Sequence, residues 1–338
     1  MKKLVLAMLL ASVHANAQIG QTDDLKKSLQ TENKDTVAWI HSGSFTLGAN
    51  EGFLHNWAAG GEVASLVVNG VFHGNITHLN HADVWSNTLD LAYGLNYAYS
   101  NAFIPRKTDD RIDFTSQYGK LMKGSKEYFF AGLFNLRSQF TKGYDYTLPD
   151  WQHTPTSNHF SPAYFTLAAG MEYRKGSGIS IFLSPIAARE VIANRIYTSL
   201  NKAGAFGIDS GKTSAFQFGA YFSGKFSFPL TKTIQYNTRL DLYCNYLAKD
   251  TKDAAGNITK HDNPGNIQVF YDNLLTIKAY KSLTLAFGLT LAYDNNVPFS
   301  KTYVDPKSGL TVDKNQPGED MGWLQVKQIF TVGISYKL

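Results

Sequence analysis

Nine charged side chains interrupt segments that otherwise alternate large apolar residues with small ones, and they are the first candidates for a function. They are Asp90, Arg111, Asp113, Arg137, Glu172, Lys225, Arg239, Asp241 and Lys327. If these four acids and five bases lie on one face of a sheet, they could line a passage and select dissolved solutes. The same set could instead form ion pairs between strands and fill a narrow interior. The near balance of sign favours the second interpretation, because a strongly ion-selective passage more often carries one dominant sign.

Other residues with reactive side chains form weaker patterns. The histidines fall into two groups, His73, His78 and His81 in one and His153 and His159 in the other, without the Cys partners or fixed spacing of a zinc site. The Asp- and Asn-rich stretches 250–266 and 305–320 lack the order of a calcium-binding loop. A hydrolase would need Ser, His and Asp or Asn to meet at one level of a wall, and the nucleophile motif G-x-S-x-G is absent from the sequence. We therefore predict no catalytic residues, no cofactor and no metal.

The stretch H-N-W-A-A-G-G-E, residues 55–62, raises the question of a glycine-rich ligand loop. Such loops bind phosphate when a helix follows, and the pattern predicts no helix here. Two adjacent glycines suit a bulge or a tight return of the chain, and Trp57 suits the edge of a membrane. A loop folded inward as a constriction is the alternative, and residues 203–211, small and glycine-rich, are a second candidate for such a loop.

The N-terminus has the pattern of a secretory signal peptide. Lys2 and Lys3 precede a ten-residue apolar run, residues 4–13, which is too short to span a bilayer as a helix. Ala15-Asn16-Ala17 then fits a cleavage site, so the mature chain is predicted to begin at Gln18. The polar segment 18–38 would be a periplasmic lead, a short plug or a contact for a partner.

Charge and cysteine content narrow the class further. The formal net charge of +5 falls to +3 when Lys2 and Lys3 leave with the signal peptide, which is too small for a nucleic-acid-binding protein. The single Cys244 excludes an internal disulfide and lies on the apolar phase of its segment. Later in the chain, no run approaches the length of a transmembrane helix.

A period of two dominates the rest of the chain. From Leu283 to Tyr293 every second residue is large and apolar while the intervening residues are small, and residues 216–228 repeat this pattern with five phenylalanines on one face. Segments of about ten residues with two such different faces are typical of the lipid-facing wall of a barrel. Twelve strands are predicted, at 39–48, 62–77, 83–99, 110–121, 126–140, 163–174, 178–184, 213–228, 232–247, 266–279, 282–294 and 323–337.

Short and long connections alternate between these strands. Links after even-numbered strands are short, whereas those after odd-numbered strands are long, as in outer-membrane barrels. The alternation of the last predicted strand continues up to Leu338, so this strand could close the sheet and leave no free edge in lipid. Five aromatic residues are candidates for the membrane interface: Trp57, Tyr97, Tyr99, Tyr293 and Tyr336. The sequence thus predicts an all-β, antiparallel transmembrane barrel at 39–338 in the outer membrane of a Gram-negative bacterium, in contact with lipid and inserted by the barrel-assembly machinery.

Several segments also resemble a known family. They are N-W-A-A-G-G-E (56–62), L-D-L-A-Y-G-L (89–95), Q-F-T-K-G-Y (139–144), F-S-P-A-Y (160–164), I-F-L-S-P (181–185), A-G-A-F-G-I-D (203–209) and L-D-L-Y-C-N-Y-L (240–247). The chain resembles a Bacteroidota family catalogued as domain of unknown function 3078 and taken to be outer-membrane β-barrels. The resemblance implies the location and the fold, and it brings no reaction, substrate or catalytic residues.

Three classes of function remain open at this point. Twelve strands lie between the filled eight-stranded barrels and the wide porins, which favours a narrow, porin-like pore or transport barrel for small solutes. A partner-binding or structural barrel without a pore, presenting its long loops to an unidentified protein, is the alternative. A membrane-embedded lipid-modifying enzyme ranks third.

Overall fold

The computed structural model contains one closed sheet of twelve antiparallel strands, which confirms the predicted all-β barrel. The structure describes residues 37–53, 64–146, 150–176, 178–200, 204–252, 255–280, 282–296, 302–304, 311–313 and 324–337. The predicted signal peptide 1–17, residues 18–36 of the predicted segment 18–38, and the stretch 54–63 with Trp57 lie outside the described residues.

Each barrel strand pairs with the strands before and after it, and the first strand pairs with the last, so the barrel has no edge. The strands are β1 (Val37–Phe53), β2 (Ala64–Asn80), β3 (Asp83–Ala98), β4 (Arg106–Leu121), β5 (Tyr128–Ser138), β6 (Ala163–Lys175), β7 (Ile179–Ile192), β8 (Ser214–Pro229), β9 (Ile234–Asn245), β10 (Gln268–Tyr280), β11 (Leu283–Tyr293) and β12 (Gln325–Lys337). All twelve predicted strands exist, with ends that differ by a few residues in most cases.

The connections are short at one end of the barrel and long at the other. The short-turn end carries the links after β2, β4, β6, β8 and β10 and both ends of the barrel chain. The long-loop end carries a four-residue helix, Arg195–Thr198, two 3-10 turns, Tyr99–Asn101 and Trp151–His153, and three two-stranded hairpins. Within the described residues, no helix has the length and hydropathy needed to cross a bilayer.

The alternation of side chains follows the predicted phase. Phe216 on β8 is 61% exposed on the outer wall, whereas its neighbours Gln217, Tyr221 and Ser223 are buried inside. Because successive side chains of a strand point to opposite faces, the phase opposite the exposed Phe216 lines the interior.

Strand β7 is longer than predicted. The predicted strand ended at 184, whereas β7 continues through Pro185 to Ile192 although proline cannot donate a hydrogen bond to a sheet. A bulge in the pairing with β6, between Ala169 and Met171, absorbs the proline. The Ser184 hydroxyl lies 2.7 Å from the carbonyl oxygens of both Ala169 and Ile186 and can donate its hydrogen to either of them at the bulge.

Candidate functional site in the barrel interior

Four of the nine predicted charged residues meet in one cluster that joins opposite walls of the barrel. Arg137 on β5 places Nη2 3.3 Å from Oδ2 of both Asp113 on β4 and Asp241 on β9. Arg239 on β9 places Nη1 3.2 Å from Oδ2 of Asp113 and Nη2 2.7 Å from Oδ2 of Asp241. Strands β4 and β9 are not neighbours in the sheet, so these contacts cross the interior. We call these four residues the ion cluster.

Neighbouring side chains hold the ion cluster in place. Asn135 donates from Nδ2 to Oδ1 of Asp113 over 2.6 Å, and the Ser223 hydroxyl donates to Oδ1 of Asp241 over 2.7 Å. The Arg137 guanidinium lies over the Phe270 ring, 4.5 Å from its centroid. Two carboxylates and two guanidinium groups balance each other, as a buried ionic group requires.

Two further ion pairs cross the interior nearer the long-loop end. Lys327 on β12 donates to Asp109 on β4 over 2.9 Å, and Arg111 on β4 lies 3.6 Å from Asp272 on β10. These pairs narrow the interior without adding a net charge.

One half of the interior is packed with apolar side chains. Strands β5 to β9 contribute a buried cluster of seven residues: Ala131, Leu133, Ala168, Phe182, Ala187, Tyr221 and Tyr243. Such a core fills the barrel lumen along this side, as in small closed barrels. We call it the packed half.

The other half, formed by β10 to β12 and β1 to β4, has inward charged side chains that are partly exposed, although other inward residues of β2, β4, β11 and β12 are buried. The side chains of His73, Asp272 and Lys327 are 42%, 30% and 38% exposed, against 3% for Asp113 in the ion cluster. We call this side the wet half. The ion cluster lies between the two halves, and its Arg137 is partly exposed.

The remaining predicted residues take separate positions inside the barrel. Asp90 on β3 contacts Nδ1 of His73. Glu172 is fully buried near the short-turn end, where its carboxylate binds Arg174 and the Ser180 hydroxyl. Lys225 lies opposite Arg239 in the β8–β9 ladder. The structure therefore gathers four of the nine into one cluster and distributes the other five among other contacts.

Sequence reasoning missed several interior charges, among them Asp109, Asp272, Arg174 and Arg189. Arg189 lies 3.6 Å over the centroid of the Tyr243 ring and bonds to Thr166. It was missed because the predicted strand ended before Pro185. Asp109 and Asp272 occupy the same inward phase as the predicted residues, so alternation alone could have found Asp272.

The loop between β7 and β8 covers the packed half at the long-loop end. Ile208 is buried against Val191 and Ala193, and a Cβ on Gly207 would lie 2.7 Å from Nε2 of the inward-facing Gln217. The described part of this candidate loop, residues 204–211, thus folds over the barrel mouth, which agrees with the alternative of an inward-folded loop.

Beside this loop, burial raises the pKa of the Asp294 carboxyl, which follows β11 directly.

The predicted interface aromatics lie near the long-loop end or outside the described part of the chain. Tyr97 and Tyr293 are half-buried on the outer wall, and Tyr99 is exposed just beyond β3. The side chain of Tyr336 is outside the described set, as is Trp57. The structure adds an exposed aromatic belt at the short-turn end, which sequence reasoning did not single out: Trp39, Trp85, Tyr118, Tyr128 and Tyr280.

One row of the wet half has the residue types of a hydrolytic triad. Ser44 on β1 is directly opposite His73 on β2, and His73 is directly opposite Asp90 on β3. Directly opposed side chains on one face have Cβ atoms about 4.5–5.5 Å apart. The His73–Asp90 contact through Nδ1 leaves Nε2 for another partner.

The comparison with protein families bears on β2 to β5. Residues 49–144 match the family described as Protein of unknown function (DUF3078). The predicted resemblance is confirmed over that stretch, which runs from the end of β1 into the loop after β5. The matched stretch contributes Asp90, Arg111, Asp113 and Arg137 to the interior, and its description carries no activity.

Comparisons with whole proteins add only distant similarity. No curated protein matches the chain. Among solved structures, the translocator domain of the autotransporter NalP from Neisseria meningitidis is 11% identical, with 99% of this chain and 97% of that one covered and a TM-score of 0.34. The COG4313 outer membrane channel from Pseudomonas putida F1 is 9% identical, with 91% and 98% covered and a TM-score of 0.34. Similarity at this level carries no functional argument.

Proposed function

We propose that this protein is an outer-membrane barrel that forms a narrow pore for small solutes along its wet half. The single observation that carries the proposal is the exposure of inward charges on β2, β10 and β12, while the packed half excludes water. A solute-selective passage needs hydrated polar groups along a constricted path. The cross-lumen pairs Lys327–Asp109 and Arg111–Asp272 would form the constriction.

The membrane location belongs to the same proposal. A closed sheet satisfies every ladder hydrogen bond without water, which is a condition for crossing lipid with strands. Large apolar residues such as Phe130, Leu167 and Phe216 are exposed on the outer wall, and the aromatic belt marks the short-turn end. We assign the short-turn end to the periplasm, with residues 1–17 as a cleaved signal peptide in a bacterium of the Bacteroidota.

Cysteine accessibility tests the water path directly. In a Cys244→Ala background, His73→Cys in the wet half should react with a charged methanethiosulfonate added from either side of a liposome. Ser223 lies beside the ion cluster and is 3% exposed. Ser223→Cys should react at least about tenfold more slowly, because the reaction of a thiol needs solvent access. Equal rates at the two positions, or reaction of His73→Cys from one side only, would contradict a continuous path.

A specific observation favours a second candidate function, hydrolysis of an ester in the lumen. With its Nδ1–H donated to Asp90, His73 could take the Ser44 proton at Nε2 while the serine oxygen attacks a carbonyl carbon. The leaving alcohol would then take that proton, and water would release the acyl group from the serine. This candidate ranks below the pore because the described structure places no oxyanion-binding pair of N–H donors beside Ser44.

A fluorophosphonate probe tests this second candidate. Labelling of the refolded wild-type protein should be lost in Ser44→Ala and kept in Ser42→Ala, which removes the neighbouring hydroxyl of the same inward phase. The Asp90→Asn variant should slow labelling by at least about a hundredfold, since the carboxylate orients the imidazole. Wild-type labelling no greater than that of Ser44→Ala would rule out a nucleophilic serine there.

A further inference from the structure

The outer wall carries a concave apolar groove across β4 to β8. It has a volume of about 810 Å³. Gly132, Ala169 and Ala220 form its small-residue floor, and Phe130, Met171 and Leu183 stand along its sides. The three large side chains are 63%, 51% and 57% exposed, so they point away from the barrel interior.

The groove lies at a single bulge on β7, around residues 184–186, which shifts the pairing with both neighbouring strands. The ladder shifts between Ala169 and Met171 and again between Gly219 and Tyr221. Glycine at the bends lets backbones approach, because a Cβ on Gly219 would lie 1.7 Å from the carbonyl oxygen of Cys244, and one on Gly170 would lie 2.1 Å from that of Leu183. These close backbone approaches therefore contribute to the shape of the groove.

Hydroxyl groups contact three backbone carbonyl oxygens at the bulge. Ser184 contacts the carbonyl oxygens of Ala169 and Ile186, and the Tyr246 hydroxyl donates to the carbonyl oxygen of Pro185 over 3.4 Å. The groove consequently presents hydrocarbon and not hydrogen-bonding groups, which suits an apolar occupant.

A cation stands at the end of the groove nearest the short turns. Lys120 lines the groove, is exposed on the outer wall, and precedes the turn at 122–127 by two residues. Among the described residues, no acidic side chain lies within ion-pair distance of its Nζ. Beside it, Tyr118 donates its hydroxyl to Asp83 over 2.6 Å and fixes the rim.

We propose that this groove binds a phospholipid, with an acyl chain along the floor and the lipid phosphate paired with Lys120. The cation lies at headgroup level and the apolar floor extends from it into the hydrocarbon, which is the order of groups in a phospholipid. A concave surface accepts a chain better than it accepts the convex wall of a second barrel. The inference rests on the proposed membrane orientation and is independent of whether the barrel conducts.

Native mass spectrometry of the barrel, extracted in mild detergent from membranes containing phosphatidylglycerol and phosphatidylethanolamine, tests the site. Wild type should retain phospholipid. Gly132→Leu should lose it, since a Cβ at this position meets no atom within 4 Å and the larger side chain fits by filling the groove. Lys120→Gln should lower the retained fraction about fivefold, as expected for one cation near a lipid phosphate. Ala169→Leu provides a second groove-filling variant if Gly132→Leu does not fold.

Matched controls separate this site from general lipid contact. Gly70→Leu enlarges an outward glycine on β2, where the nearest atom to an added Cβ is 3.9 Å away, and Lys249→Gln removes a cation beyond the long-loop end. Both should retain lipid like wild type. Equal loss in variants and controls, unchanged retention in Gly132→Leu, or a lipid-free dimer would overturn the proposal. A barrel that retains lipid but conducts no ions in a planar bilayer would contradict only the proposed pore.

Discussion

Replacing Arg239 by alanine is expected to lower the free energy of unfolding by about 3–5 kcal/mol, because it leaves buried carboxylates without their full complement of cations. Asp113 and Asp241 are 3% and 6% exposed, and Arg239 contacts both. The lower part of that range is expected, since Arg137 still contacts each carboxylate. Urea unfolding of the refolded barrel, followed by tryptophan fluorescence and heat-modifiable gel mobility, measures the change.

Arg111→Ala is the matched control for this prediction. It removes the same kind of side chain from the interior face of β4, but its partner Asp272 is 30% exposed and 3.6 Å away. Exposed pairs contribute up to about 1 kcal/mol, so the loss should be small. A loss in Arg239→Ala no larger than in Arg111→Ala would show that the ion cluster is not a buried, mutually dependent unit.

Reversing the two cations of the wet half should convert a weakly selective barrel into a cation-selective one. The variant Arg111→Glu/Lys327→Glu places two new carboxylates beside Asp109 and Asp272, so four negative groups line the constriction. We expect the ratio of potassium to chloride permeability to rise at least about tenfold, a change of ~1.4 kcal/mol. Reversal potentials across a potassium chloride gradient give the ratio.

The control for selectivity changes the same number of charges outside the lumen. Lys123→Glu/Lys249→Glu alters one exposed residue at each end of the barrel and should leave the permeability ratio within about twofold of wild type, because salt screens distant surface charges. If this control shifts selectivity as much as the lumen variant does, the wet half does not contain the passage.

The fold was predictable because its determinants are local in the chain. The alternation from Leu283 to Tyr293 assigns each side chain to lipid or interior, and it places Phe216 outside and Ser223 inside without any long-range information. The parity of short and long links then specifies how the strands follow one another. Pro185 shows the limit, since whether a bulge can absorb a proline depends on the partner strand.

The candidate site was predictable only in part. Alternation identified which charges face inward, but it could not show that Arg137 meets Asp241, because these residues are 104 positions apart on strands that do not pair. That contact depends on the cross-section of the closed barrel. The division into a packed and a wet half likewise depends on where Phe182, Tyr221 and Tyr243 meet inside.

Single-channel recording of the purified, refolded wild-type protein in a planar bilayer tests the central claim most directly. The proposed pore predicts small, steady openings with weak selectivity, since the wet half is narrow and its cross-lumen pairs are balanced in charge. A barrel that remains heat-modifiable, and therefore folded, but conducts no ions would contradict the pore. That result would favour a filled barrel whose long loops bind a partner.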